Sequence, residues 1–157
     1  MATFKSTQVT LIDALAGQAY DALKPNILSG RVRCAVWDYK TPGAGAPAVG
    51  DDIHLVKLPK GARVIGIYHN WEAMSSAAGT AGADIGDAGD DDRYAAAVNM
   101  DAAGSGLITL RLDASAVEPV LGFGYEQTAE TVVKGKVTGE AFAVTKQWRG
   151  VVFYVVD

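Results

Sequence analysis

The stretch DIHLVKLPKGARVIGIYHNWEAM, residues 52–74, and the acidic segment ADIGDAGDDDRY, residues 83–94, decide the fold. Leu58, Pro59, Lys60 and Gly61 separate two extended runs. Proline presets φ near the value needed at the second position of a turn, and glycine takes positive φ without a Cβ clash. The chain is therefore expected to reverse there. Before the turn Ile53 and Leu55 alternate with His54 and Val56; after it Val64, Gly66 and Tyr68 alternate with Arg63, Ile65, Ile67 and His69. A period of two is the signature of a strand, and it predicts that each set occupies its own face.

The same period extends outward in both directions. Residues 31–39 place Val32, Cys34 and Val36 on one face, expected inward, and Arg31, Arg33, Trp37 and Tyr39 on the other, expected outward. KTPGAGAPAVG, residues 40–50, is too long for a tight hairpin and is read either as a crossing between sheets or as a segment lying on a partner. Further strands are expected at 94–100, 107–113 (with Ile108, Leu110 and Leu112 inward), 119–125, 131–138, 140–144 and 150–156. The last, GVVFYVV, is nearly continuous in apolar residues and predicts a central strand buried on both sides. About eight to ten short strands, with turns spaced as in sandwiches and barrels, exclude a parallel α/β sheet. The reading is an all-β chain: an antiparallel jelly-roll-like β-sandwich over residues 31–157, preceded by an extended N-terminal arm.

That arm, residues 1–30, shows no single period. Leu11 to Leu23 has Ile12, Leu15, Ala19 and Leu23 at helical spacing, weakened by Gly17 and ended before Pro25. The segment reads either as a frayed lead-in to the first strand or, since Val9, Leu11, Ile12 and Ile27 have no evident place in a closed sheet, as an arm that orders against another subunit. Trp37 and Tyr39, on the face expected outward, are the other candidates for a capsid or subunit interface.

Composition narrows the classes of function. A chain of 157 residues buries roughly two thirds of its unfolded surface, enough for one core. Its net charge of −4, with scattered basic residues, argues against nucleic acid as a partner. Cys34 is the only cysteine, so an intrachain disulfide is impossible and burial in the core is expected. No run approaches the about eighteen apolar residues of a membrane span, and no apolar segment of a conventional secretion signal is present.

Asp84, Asp87, Asp90, Asp91 and Asp92 cluster as Ca²⁺ ligands do, but an EF-hand needs glycine at its sixth position and glutamate at its twelfth. Ala95 falls at the twelfth position counted from Asp84, and Asp92 at the sixth counted from Asp87. A solvated loop tip is the expectation instead. His54 and His69 lack a third ligand, so no metal site is assigned. Neither a G-x-S-x-G elbow nor a phosphate-binding glycine loop is present, so no catalytic residue, cofactor or nucleotide is assigned.

Residues 52–94, with LPKGARV at the end of a strand, a Gly/Ala/Ser-rich segment and the acidic ADIGDAGDDDRY, resemble the small β-rich head decoration, or cement, proteins of tailed bacteriophages. The likeness extends loosely from about residue 3 to the C-terminus. It implies a β-rich fold and a non-enzymatic virion protein on the capsid exterior. Its partner would be the major capsid protein, and it would be a homo-oligomer, dimer or trimer. Two other classes are open to such a chain: a carbohydrate- or receptor-binding domain of a fibre, tail or neck, using surface aromatics, and a cupin-like enzyme, for which His54 and His69 supply too few ligands.

Overall fold

A computed structural model of the chain describes residues 31–77, 79–108 and 125–156. The expected arm at 1–30 with Val9, Leu11, Ile12 and Ile27, the helix within it, and Leu110, Leu112 and residues 119–124 lie outside the described residues. Eight strands occur among those described: β1 (Arg33–Lys40), β2 (Asp52–Leu58), β3 (Ala62–Trp71), β4 (Gly82–Asp87), β5 (Asp90–Asn99), β6 (Gly104–Ile108), β7 (Thr131–Thr138) and β8 (Gln147–Val156).

They form two four-stranded sheets with the orders β1-β8-β3-β6 and β2-β7-β4-β5. Every pairing is antiparallel, and β1 meets β8, β2 meets β7, β3 meets β6 and β4 meets β5. This is a long hairpin folded at the β4–β5 turn and rolled so that successive strand pairs alternate between sheets. That arrangement is the jelly roll. The turn at Leu58–Gly61 is one of the corners: Ala62 N donates to Pro59 O at 3.2 Å, Gly61 has φ 81°, and the chain passes from one sheet to the other.

Two register shifts correct the expected faces. One lies between His54 and Val56, so that Ile53 and Val56 are both buried although one alternation would oppose them. The other lies between Val64 and Gly66 and brings Val64, Ile67 and His69 to the interior together. Each extra residue reverses the phase of a period-two pattern.

The face of β1 is the reverse of expectation. Trp37 is 5% exposed in the core, Tyr39 is half-buried against it, and Val36 on the opposite face is 73% exposed. Cys34 is exposed as well, not packed in the core. The alternation was correct and its polarity was not, because an indole and a phenol together offer more apolar area than Cys34 and Val36. Glycine opposite Trp37 makes this possible: Gly150 is its register partner, and a Cβ there would lie 2.2 Å from the indole.

The core between the sheets is built on Trp37, Leu58, Ile67, Met74, Ile85, Met100, Phe142, Trp148 and Val152. β8 is central in its sheet, and its two faces are buried unequally: Val152 is fully buried on the core face, whereas on the other side Val151 and Phe153 are half-buried and only Val155, at 3% exposure, is buried. Residues 140–144 form no strand; Phe142 makes an isolated bridge to Ser75. Glu140 instead closes the small-residue segment, accepting hydrogen bonds from Ser75 Oγ at 2.5 Å, Ser76 Oγ at 3.0 Å and Ala77 N at 3.2 Å.

Candidate functional site

The two outer faces of the sandwich differ in chemistry. On the β1-β8-β3-β6 sheet, Val36 pairs with Val151, Val151 with Tyr68, and Tyr68 with Leu107, one row crossing all four strands. Cys34 and Phe153 form a second row beside it. The residues that alternate with these, among them Trp37, Val152, Ile67 and Ile108, pack in the core, so both rows point away from it. Leu107 is 63% and Tyr68 43% exposed. A polar row bounds the patch at one end, where Asp38 and Arg149 form an ion pair at 3.2 Å. Hydrogen bonds from Gln147 and Arg149 hold the Asp38 carboxyl below its ordinary pKa.

The outer face of the β2-β7-β4-β5 sheet carries charge. Lys134 sits between Asp52 at 2.8 Å and Asp91 at 2.7 Å, and Lys136 reaches Asp91 at 2.5 Å. Hydrogen bonds from Lys134 and Lys136 pull the Asp91 carboxyl down to about 2. These charges satisfy one another along the sheet.

The acidic segment is solvated at its turn, where Ala88, Gly89 and Asp92 are exposed, but not throughout. It is the β4–β5 hairpin, and Asp87 is buried beneath it. Asp87 accepts hydrogen bonds from Arg93 Nε at 2.7 Å, Gly89 N at 2.9 Å and Gln127 Nε2 at 2.9 Å. Burial pushes its carboxyl up, but the bonds from Gln127, Gly89 and Arg93 outweigh it and hold the group below its ordinary value. Gln127 also donates to Tyr94 Oη at 3.0 Å, and the Arg93 guanidinium stacks 3.8 Å over the Tyr125 ring. Gly61 N donates to Gln127 O at 2.7 Å, and Arg63 pairs with Glu126. The cluster clips residues 125–127 to the head of β3 and to the hairpin. Its carboxylate is committed to protein donors, which makes it a structural fastening.

The histidines are separated as well. His54 is exposed on the charged face, whereas His69 is in the core of the other sheet, accepting from Trp148 Nε1 at 3.1 Å through Nδ1. Its ring packs 4.7 Å from that of Trp71. Among the described residues no group of three or more His, Cys, Asp or Glu side chains is placed to hold a metal ion.

Of the residues expected at an interface, Trp37 is buried and Tyr39 lines an open groove of about 480 Å³ with Pro42, Pro47, Asp51 and His54. Burial, then the charge of Asp51, raises the Tyr39 phenol. The apolar rows were missed. Their signal was present in residues 150–156, where two apolar faces were read as double burial; Val155 is buried on the second face, but Val151 and Phe153 are only half-buried there.

No protein-family model and no curated protein matches the chain. Solved structures of similar fold exist. A chain of the cyanophage Pam1 capsid asymmetric unit aligns over 100% of both chains with a TM-score of 0.64 and 22% identity. A chain of the capsid of Ralstonia phage GP4 aligns over 82% of this chain and 86% of that one, with a TM-score of 0.64 and 24% identity. This jelly roll therefore has the same fold as chains found in phage capsids.

Proposed function

We propose that this chain is a non-enzymatic structural protein of a phage head, a decoration or cement protein. It binds the assembled shell of major capsid protein from the outside and stabilises contacts between capsomers. The observation that carries the reading is the fold shared along the full length with a chain of the Pam1 capsid asymmetric unit. The contrast between an apolar and a charge-saturated outer face agrees with a protein that lies on a partner by one side. Binding only to assembled shell stabilises it by mass action, and repetition over a symmetric lattice multiplies a modest contact. No cofactor, membrane or nucleic acid enters this account, and association as a dimer or trimer matches shell symmetry. In this reading the 1–30 segment is an attachment arm, separate from the 31–157 sandwich.

A second reading, a carbohydrate- or receptor-binding domain of a fibre, tail or neck, draws on the groove beside Tyr39, where a phenol, two carboxylates and an imidazole converge. Trp37 and Trp148 are buried and Trp71 donates Nε1 to Ala102 O at 2.9 Å, so stacking on a sugar would fall to Tyr39.

Titration of undecorated shells with the full chain and with a chain lacking residues 2–28 tests the proposal. The full chain is expected to saturate the shells. The truncated chain is expected to melt at nearly the same temperature while its occupancy falls sharply, because Val9, Leu11, Ile12 and Ile27 gain little by folding alone. Equal occupancy of the two would remove the arm from attachment. Failure of the full chain to bind, with sugar-dependent quenching of its fluorescence, would favour the second reading.

A further inference from the structure

From the two rows described above we infer that the outer face of the β1-β8-β3-β6 sheet is the surface seated on the shell, and that its occupant is an aliphatic patch of assembled capsid protein. The inference rests on the decoration reading and adds to it the face.

An antiparallel sandwich ordinarily alternates apolar-inward with polar-outward residues. This sheet breaks that rule across its full width, at Val36, Val151, Tyr68 and Leu107, and again at Cys34 and Phe153. Contiguous exposed apolar area of a few hundred Å² marks an interaction surface on a soluble protein. The charged face is a poor alternative, because Lys134, Lys136, Asp52 and Asp91 would have to be desolvated together.

Area selects the occupant. Four strands about 4.8 Å apart, over the length of the two outward apolar rows, give a face of at most roughly 250 Å². A stable pair of free proteins needs about 800 Å² from each partner. A second copy seated face to face in solution would therefore be held weakly. A repeated shell surface differs, because the same small contact acts beside the contacts of neighbouring copies and their combined effect is large. The Asp38–Arg149 pair at one end supplies a polar rim that fixes orientation without adding much affinity.

Cys34 lies within the patch, is exposed, and is the only cysteine, so its alkylation reports whether the face is covered. Iodoacetamide is added to the full chain alone, at low and high concentration, and to the full chain bound to undecorated shells. Alkylation is expected to be rapid in the free chain at both concentrations and at least about tenfold slower on shells. The double variant Val36→Glu, Leu107→Glu is expected to bind shells at least about tenfold more weakly while its melting temperature changes little, since both side chains are exposed already. Val49→Glu, the same chemical change at an exposed residue of the 41–51 loop, is expected to bind as the unaltered chain does.

Unchanged alkylation on decorated shells, or undiminished binding of the double variant, would overturn the inference and leave the decoration reading standing. Slow alkylation of the dilute free chain would assign the face to another part of the same chain. Protection appearing only at high concentration, with a rise in sedimentation coefficient, would assign it to a second copy. Either result overturns the inference. Absence of any shell binding by the unaltered chain would overturn the decoration reading and this inference with it.

Discussion

Replacing Trp148 by alanine is expected to lower the free energy of unfolding by about 3 to 5 kcal/mol, the largest effect of any single truncation in the core. The indole is fully buried and meets Trp37 edge-on, with ring centroids 6.2 Å apart. It lies over Gly135, where a Cβ would come within 2.4 Å of the ring, so β7 keeps a glycine at the position that the indole crosses. Removing it leaves a cavity between the sheets and deprives His69 Nδ1 of its donor. A buried acceptor left without a partner adds about 1 to 3 kcal/mol to such a loss. Trp148→Phe keeps most of the volume and loses the hydrogen bond, so it is expected to fall between the two. Urea unfolding measures all three proteins, and a loss below about 1 kcal/mol for Trp148→Ala would contradict this account of the core.

Acidification from pH 6.5 to 4 is expected to remove about 3 kcal/mol of stability through His69 alone. Burial lowers the His69 imidazole from 6.5 to about 4, and at 1% exposure water screens little of that effect. The unfolded chain takes up a proton near pH 6.5 while the folded chain refuses it until about pH 4. Stability from this group is therefore complete above pH 6.5, declines as pH falls through that window, and declines no further below it. Asp87 and Asp91 act with the same sign in a lower window. Their carboxyls are held below 3.8 in the fold, so their contribution is present above 3.8 and is lost only at lower pH. His69→Gln is expected to be less stable at pH 7, because the packing on Trp71 changes, and to be flat between pH 6.5 and 4. Chemical denaturation at stepped pH distinguishes the two proteins. Parallel slopes for the variant and the unaltered chain across that window would show that His69 titrates freely.

The fold was legible because strand period and turn chemistry act locally. β7 spans Thr131–Thr138 as the alternation predicts, and the proline-glycine turn at Pro59–Gly61 stands where its φ preferences put it. What failed required knowledge of neighbours. The polarity of β1 depends on Gly150 lying opposite Trp37, a partner more than a hundred residues away in the sequence. Nor does the alternation of β2 or β3 announce a bulge, since the extra residue is set by the register of the strand beside it. Asp87 read as one of several solvated carboxylates, yet it is buried, and Gln127, distant in sequence, supplies a donor beside that of the nearby Tyr94. The apolar outer face was visible as Val151 and Phe153 alternating with Val152 and Tyr154, although Val155, next on that side, is buried. Only the sheet order shows that four strands contribute to one continuous row.

The central claim is that this chain decorates a phage head, and copy number tests it most directly. Quantitative mass spectrometry of purified particles carrying the chain is predicted to find roughly hundreds of copies per head, as a shell lattice requires. About a dozen copies or fewer would match a neck or tail ring and would contradict the account.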